Sequence, residues 1–206
     1  DYWQELSRKN GFDGMIFAYQ QLSDHILPGR DESRFKYNIE YQPGYARDDL
    51  QMNQSVGVKR ILFQTRNKIR SMVSKVDKVF NTNISMHLSR NVLQTEEYDK
   101  LCNEIVTKKP DSAKAIPGMF VGWDNTPRRG KNGRVCLGAT PEKFEKYMKM
   151  QIVNARKNYQ KDMIFVFAWN EWAEGGYLEP DENNRYKYLE AIYNSLNETS
   201  ELERLY

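Results

Sequence analysis

Apolar residues gather along this chain in short blocks separated by long mixed stretches. Residues 15–18 (MIFA), 35–41 and 115–122 form three of these blocks, and residues 163–168 (MIFVFA) form the most apolar one. Blocks this short with little alternation suit strands buried on both faces. Elsewhere the apolar spacing changes to threes and fours. Phe144, Tyr147, Met148, Ile152 and Ala155 share one helical face. Thr140 and Pro141 open it, a capping residue followed by proline at the first helical position. Residues 2–10 read as the tail of a helix stopped by Gly11. Residues 96–107 read as another, with Thr95 as N-cap, and residues 185–197 as a third, carrying Tyr188, Leu189, Ile192 and Leu196. Pro28-Gly29 and Pro43-Gly44 read as breakers.

Strands therefore alternate with helices, which predicts an α/β fold on a parallel sheet. The blocks supply about four β/α units, whereas a closed (β/α)8 TIM barrel has eight and usually needs about 250 residues. The expectation is thus a TIM-barrel type of fold of which the chain holds the C-terminal part, in one domain over residues 1–206. Residues 48–90 fit this plan least well. Leu62, Ile69, Val73, Val76 and Phe80 have helical spacing there, and the stretch opened by Lys59 and closed by Lys78 carries seven basic residues against the single acid Asp77. It reads either as a solvated helix face in a basic insertion or as a patch for an anionic membrane or lipid-linked carrier.

Composition narrows the classes. Of 206 residues, 39% are hydrophobic and 29% charged, sufficient for a packed core and unlike a disordered chain. A net charge of +3, dispersed along the chain, gives no footprint for nucleic acid. No apolar run reaches the length of a membrane span. Cys102 and Cys136 offer neither a disulfide framework nor metal spacing, which suggests a reducing compartment. The expected location is the cytoplasm, or the periphery of the inner face of a bacterial membrane. No Gly-rich phosphate loop, dinucleotide fingerprint or zinc pattern occurs, so no cofactor is expected. His25 and His87 read as loop or surface residues.

Chemistry concentrates after the most apolar block. Trp169, Asn170, Glu171, Trp172 and Glu174 follow it, then Gly175, Gly176 and Tyr177. In parallel α/β folds, ligand sites collect at the carboxyl ends of strands. Two glutamates three apart can share one face of a helical turn, with Cβ atoms roughly 5–6 Å apart. Such a pair can divide acid and base or nucleophile roles at a glycosidic bond, and Trp169 and Trp172 could keep one carboxyl protonated by desolvating it. A second strand end carries Trp123, Asp124, Asn125, Arg128 and Arg129. Trp123 could stack on a sugar, Asp124 and Asn125 could bond its hydroxyls, and Arg128 or Arg129 could hold a phosphate or carboxylate. The alternative for this loop is a turn closed by a local Asx-type bond. A third strand end offers Glu40 and Tyr41 to the same rim.

Three segments together, residues 122–130 (GWDNTPRRG), 140–148 (TPEKFEKYM) and 168–181 (AWNEWAEGGYLEPD), resemble the WbsX-like glycosyltransferase family, which is related to glycoside hydrolase family 99, the endo-α-mannosidases. Residues 11–20 (GFDGMIFAYQ) fit as well, while residues 48–90 match weakly. The resemblance implies a (β/α)8 barrel and retaining glycan chemistry, a glycan or sugar donor as partner, and a role in surface-polysaccharide or lipopolysaccharide synthesis. It makes Glu171 a base on the sugar 2-hydroxyl, giving a 1,2-anhydro intermediate, and Glu174 the acid/base. It also implies a missing N-terminal barrel half, supplied by further chain or by a second copy. Transfer and hydrolysis stay open, as does a non-catalytic carbohydrate-binding or scaffolding remnant of the barrel.

Overall fold

The computed structural model describes residues 2–21, 32–53, 69, 72, 73, 76 and 93–200. Most of the basic stretch 59–78 and both histidines lie outside the described residues. Of that stretch only Ile69, Met72, Val73 and Val76 are described, all helical.

The first half runs α1 (Tyr2–Lys9), β1 (Ala18–Gln21), β2 (Tyr37–Glu40), α2 (Gly44–Asn53), β3 (Gln94–Glu97), α3 (Tyr98–Thr107), β4 (Ala115–Ile116) and β5 (Gly118–Phe120). The second half runs α4 (Thr126–Arg129), β6 (Arg134–Leu137), α5 (Pro141–Asn154), β7 (Phe165–Phe167), β8 (Asn170–Glu171), β9 (Gly176–Tyr177) and α6 (Lys187–Glu198). Strand β1 pairs parallel with β2, β2 with β4, and β5 with β7. Pro117, which has no N–H to give a ladder, separates β4 from β5, and its carbonyl accepts from Phe165 at 3.1 Å. The parallel strands thus follow one another in chain order. Among the described residues the sheets close into no barrel, and β1 and β7 have no strand on their outer sides.

The core lies between these strands and α3, α5 and α6. Leu101 and Ile105 of α3, Met119 and Phe120 of β5, and Phe144 and Tyr147 of α5 are all buried in it. Burying each such side chain is worth about 1.5–3 kcal/mol. Two polar anchors fix the register. Gln151, wholly buried in α5, donates to the Gly118 carbonyl at 2.8 Å, and the Tyr98 hydroxyl donates to the Phe120 carbonyl at 3.0 Å. Helix α5 starts as its sequence predicts, with the Thr140 hydroxyl accepting from the Lys143 amide at 3.3 Å.

Three expectations shift. The apolar block at 15–18 precedes β1 and only touches it at Ala18. Ile16 is 63% exposed, and among the described residues no strand lies outside β1 to bury the block against. Residues 94–97 form β3, paired with β6, so Thr95 is inside a strand and α3 is capped by Glu97 without a side-chain bond. Pro43-Gly44 introduces α2 instead of merely breaking the chain. No helix among the described residues is long and apolar enough to cross a membrane.

Candidate active site

The site is built where β7 ends. Two residues past Phe167 the chain turns back on itself as the antiparallel pair β8–β9, joined by a single 3-10 turn over Trp172–Glu174. Gly175 closes that turn at φ +61°, a conformation that favours glycine. The glycine pair also permits close packing. A Cβ on Gly175 would lie 2.8 Å from the Asp124 amide nitrogen, and one on Gly176 would lie 2.5 Å from the Phe167 ring. The hairpin therefore rests directly on the loop after β5, and the Asp124 amide donates to the Glu174 carbonyl at 2.7 Å.

That contact brings two of the sequence's segments together. The Asn125 amide group donates to one Glu174 carboxylate oxygen at 2.9 Å, and Arg128 forms an ion pair with the other. Asn125 is itself held, because its side-chain oxygen accepts from the Arg134 amide at 2.8 Å. Glu174 is thus a fixed, mostly covered carboxylate, its side chain 15% exposed. Glu171 is exposed, and it borders a cleft of about 360 Å³ between β2 and β7, shared with Tyr41, Gln42, Ile39 and Gln20. Burial raises the Tyr41 hydroxyl above its ordinary range, and the negative charge of Glu171 pushes the same way. Its ring packs edge-on against Phe167 at 5.3 Å.

The other expected residues are placed as follows. Asp124 accepts from the backbone and hydroxyl of Thr126 at 2.9 and 2.6 Å, the local turn that was its alternative reading. Trp123 is half-buried, stacked on Phe167 at 5.1 Å with Arg47 on its ring at 4.9 Å. Trp172 is half-exposed, stacked on Tyr177 at 3.8 Å, and donates its indole N–H to Glu179 at 2.5 Å. The Tyr177 hydroxyl donates to Asp181 at 2.9 Å. Trp169 and Asn170 are exposed. Glu40 reaches the floor of the cleft but is only 2% exposed, and the Tyr159 hydroxyl lies 2.9 Å from both of its carboxylate oxygens. Burial pushes its carboxyl up to about 8, partly opposed by that hydroxyl. Glu40 and Tyr41 both line the cleft, Glu40 the more deeply buried of the two.

Sequence reasoning missed Arg47, Tyr159 and the role of Asn125. Arg47 is buried in α2, ion-paired with Glu96, and lies in a helix that the Pro-Gly pair concealed. Asn125 was visible as a polar group at a strand end, but its link to Glu174 spans 49 residues and has no local signature. Among the described residues no three His, Cys, Asp or Glu gather as a metal would require.

Two curated relatives from Xanthomonas campestris pv. campestris, strains B100 and ATCC 33913, both named as an uncharacterized protein WxcX, are 40% identical over 84 residues. That stretch is 39% of this chain and 12% of each relative. No solved structure matches. The sequence pattern described as Glycosyltransferase WbsX matches residues 1–192, a span containing the hairpin, the loop that grips it and every parallel strand, and the chain belongs to that family.

Proposed function

We propose that this chain catalyses retaining glycosyl transfer at an α-mannoside-like linkage in surface-polysaccharide synthesis, with Glu171 as base and Glu174 as acid/base. The observation that carries the proposal is the pairing of two differently held carboxylates on one hairpin. Glu171 is open to the cleft, where a sugar can enter. Glu174 is gripped by Asn125 and Arg128, as a group needing a fixed direction of proton transfer should be. In this reading Glu171 takes the proton of the sugar 2-hydroxyl while that oxygen attacks C1 and the C1–O bond to the leaving group breaks, Glu174 giving its proton to the departing oxygen. Glu174 then takes the proton of the acceptor hydroxyl as that oxygen bonds to C1, the C1–O2 bond breaks, and the 2-oxygen recovers its proton from Glu171. The half-exposed Trp172–Tyr177 stack and Trp169 offer faces for neighbouring sugar rings.

Glu40 has no part in this chemistry, since its carboxyl is buried against Tyr159. The sequential parallel strands suit an arc of a (β/α)8 barrel, with further strands beside β1 and β7 completing the wall of the cleft. The decisive experiment incubates wild type and Glu174→Gln with α-mannoside-type donors and follows product and its anomeric configuration. Loss of turnover in the variant, with retained configuration in the wild type, is expected. Equal turnover by both removes Glu174 from the mechanism. Binding of mannose oligosaccharides without any product would make the chain a carbohydrate-binding module instead.

A further inference from the structure

We propose that the sugar held in the cleft is uncharged and carries a methyl group where a hexose carries its 6-hydroxymethyl, a 6-deoxyhexose of manno configuration, selected by Gln20 and Ile39. The proposal rests on the reading of Glu171 as the base on the 2-hydroxyl. It names what that reading leaves open, the sugar itself.

Gln20 of β1 and Ile39 of β2 are partners in the parallel ladder, so their side chains stand side by side on one face of the sheet. That face borders the cleft, which Phe165 and Phe167 of β7 also line. Phe165 is half-exposed there.

Charge decides the first half of the proposal. Glu171 is exposed at this cleft, and among the described residues no lysine, arginine or histidine lines it. Arg47 is engaged by Glu96 and the Trp123 ring, and Arg128 by Glu174. Burial holds Glu40 neutral, so it adds no charge of its own. A sugar carboxylate seated here would stand near Glu171 with no cation to offset the repulsion or the loss of its water.

Hydrogen-bonding capacity decides the second half. Glu40 and Gln42 are each only 2% exposed. Glu40 is occupied by Tyr159, and the Gln42 side-chain oxygen accepts from the Ala46 amide at 3.1 Å. Gln20, Tyr41 and Glu171 are the polar side chains left to meet a ligand in the cleft. They suit the 2-, 3- and 4-hydroxyls, with Glu171 on the first. A 6-hydroxyl would then face Ile39 and the phenylalanine rings without a partner, which costs affinity, whereas a methyl group gains from burial there. The 6-deoxy sugar keeps its 2-hydroxyl, so the step at Glu171 is unchanged.

The test is NMR titration of the whole chain with three probes: methyl α-mannopyranoside, its 6-deoxy counterpart and its 6-carboxylate counterpart. Wild type, Ile39→Asn and Gln20→Arg are compared, with melting temperatures confirming folding. Wild type is expected to bind the 6-deoxy probe about three- to tenfold more tightly than the mannoside, and the carboxylate about tenfold more weakly than the mannoside. Ile39→Asn offers the 6-hydroxyl a partner and should abolish or reverse the preference for the 6-deoxy probe. If that variant fails to fold, Ile39→Thr, which keeps the β-branched shape, takes its place. Gln20→Arg puts a cation at the cleft and should bring the carboxylate level with the mannoside. Wild-type binding of the mannoside or the carboxylate as tight as that of the 6-deoxy probe overturns the proposal, as does no binding of any probe. An order of affinities left unchanged by the Ile39 variant or by Gln20→Arg also overturns it. Failure of the catalytic reading is distinguishable, because it appears as undiminished turnover in Glu171→Gln whatever the order of affinities.

Discussion

Two glutamates in this molecule occupy similar places in the sequence and very different places in the fold. Glu40 ends β2, and Glu174 follows β7 by one hairpin, so both belong to the carboxyl ends of parallel strands. Glu40 is sealed under the cleft with one neutral partner, the Tyr159 hydroxyl. Glu174 has a cation and an amide donor beside it. The position at a strand end is common to both, and it is the partners that differ. Burial favours the neutral form of Glu40, and the Tyr159 hydroxyl only partly opposes it. A cation and a fixed amide hold the Glu174 carboxylate in one direction.

The comparison breaks most sharply in turnover. Glu171→Gln and Glu174→Gln are expected to lower kcat/KM by about 10²–10⁴-fold, the usual worth of a positioned acid or base. Glu40→Gln is expected to stay within a few-fold of wild type. Steady-state rates on a common donor decide this, and an equal loss in Glu40→Gln would put the buried glutamate into the mechanism.

The next effect is on stability and separates the two sites by pH. The carboxyl of Glu40 is raised to about 8 from an ordinary value of 4.5. Between those values the folded state keeps a proton that the unfolded state has lost, so stability falls as pH rises. The contribution is full below 4.5 and is lost as pH passes through about 8. Its size is on the order of a few kcal/mol. Denaturant midpoints between these limits should fall for wild type and stay nearly level for Glu40→Gln. Parallel slopes in the two proteins would show that Glu40 ionises freely.

A smaller effect tests the grip on Glu174. Asn125→Ala leaves the Arg134 amide and one Glu174 oxygen without their partner. That should cost about 1–3 kcal/mol in stability. It should lower kcat more than it raises KM, because the residue orients the acid/base without touching substrate. A KM effect alone would place Asn125 on the sugar instead.

How much of this was legible follows from where the information lies in the chain. Helix α5 was readable to its first residue, because Thr140-Pro141 and an apolar face at helical spacing are local signals that packing then rewards. Strand β7 was readable from its run of apolar residues, although of the three only Phe167 is buried and Phe165 is half-exposed. Strands β3 and β6 were not, since Gln94–Glu97 is wholly polar, Arg134–Leu137 is a short run opened by a charge, and both owe their form to pairing across 40 residues. The site followed the same division. Glu171 and Glu174 stand in one distinctive run and could be named from it. That Asn125 and Arg128 would close on Glu174 depended on Gly175 and Gly176 letting two distant loops touch. The strand-end position of Glu40 was local and legible, while its hydrogen bond to Tyr159, 119 residues away, was not.

The smallest expected effect is the most selective. Tyr159→Phe removes the only hydroxyl that offsets the burial of Glu40. With its carboxyl neutral the protein loses one buried hydrogen bond, about 0.5–1.5 kcal/mol. With that bond gone the carboxyl should be held protonated to still higher pH, because the hydroxyl favours the charged form. The fall in stability should therefore extend further upward in pH than in wild type, and turnover should be unchanged. Melting temperatures across the alkaline range, taken beside rates on the same samples, test both halves. If the fall instead ends at lower pH, the hydroxyl is stabilising a neutral carboxyl, and Glu40 is buried as a proton donor to Tyr159. If turnover falls with it, the two glutamates are coupled through the cleft floor, and the separation between them is one of degree.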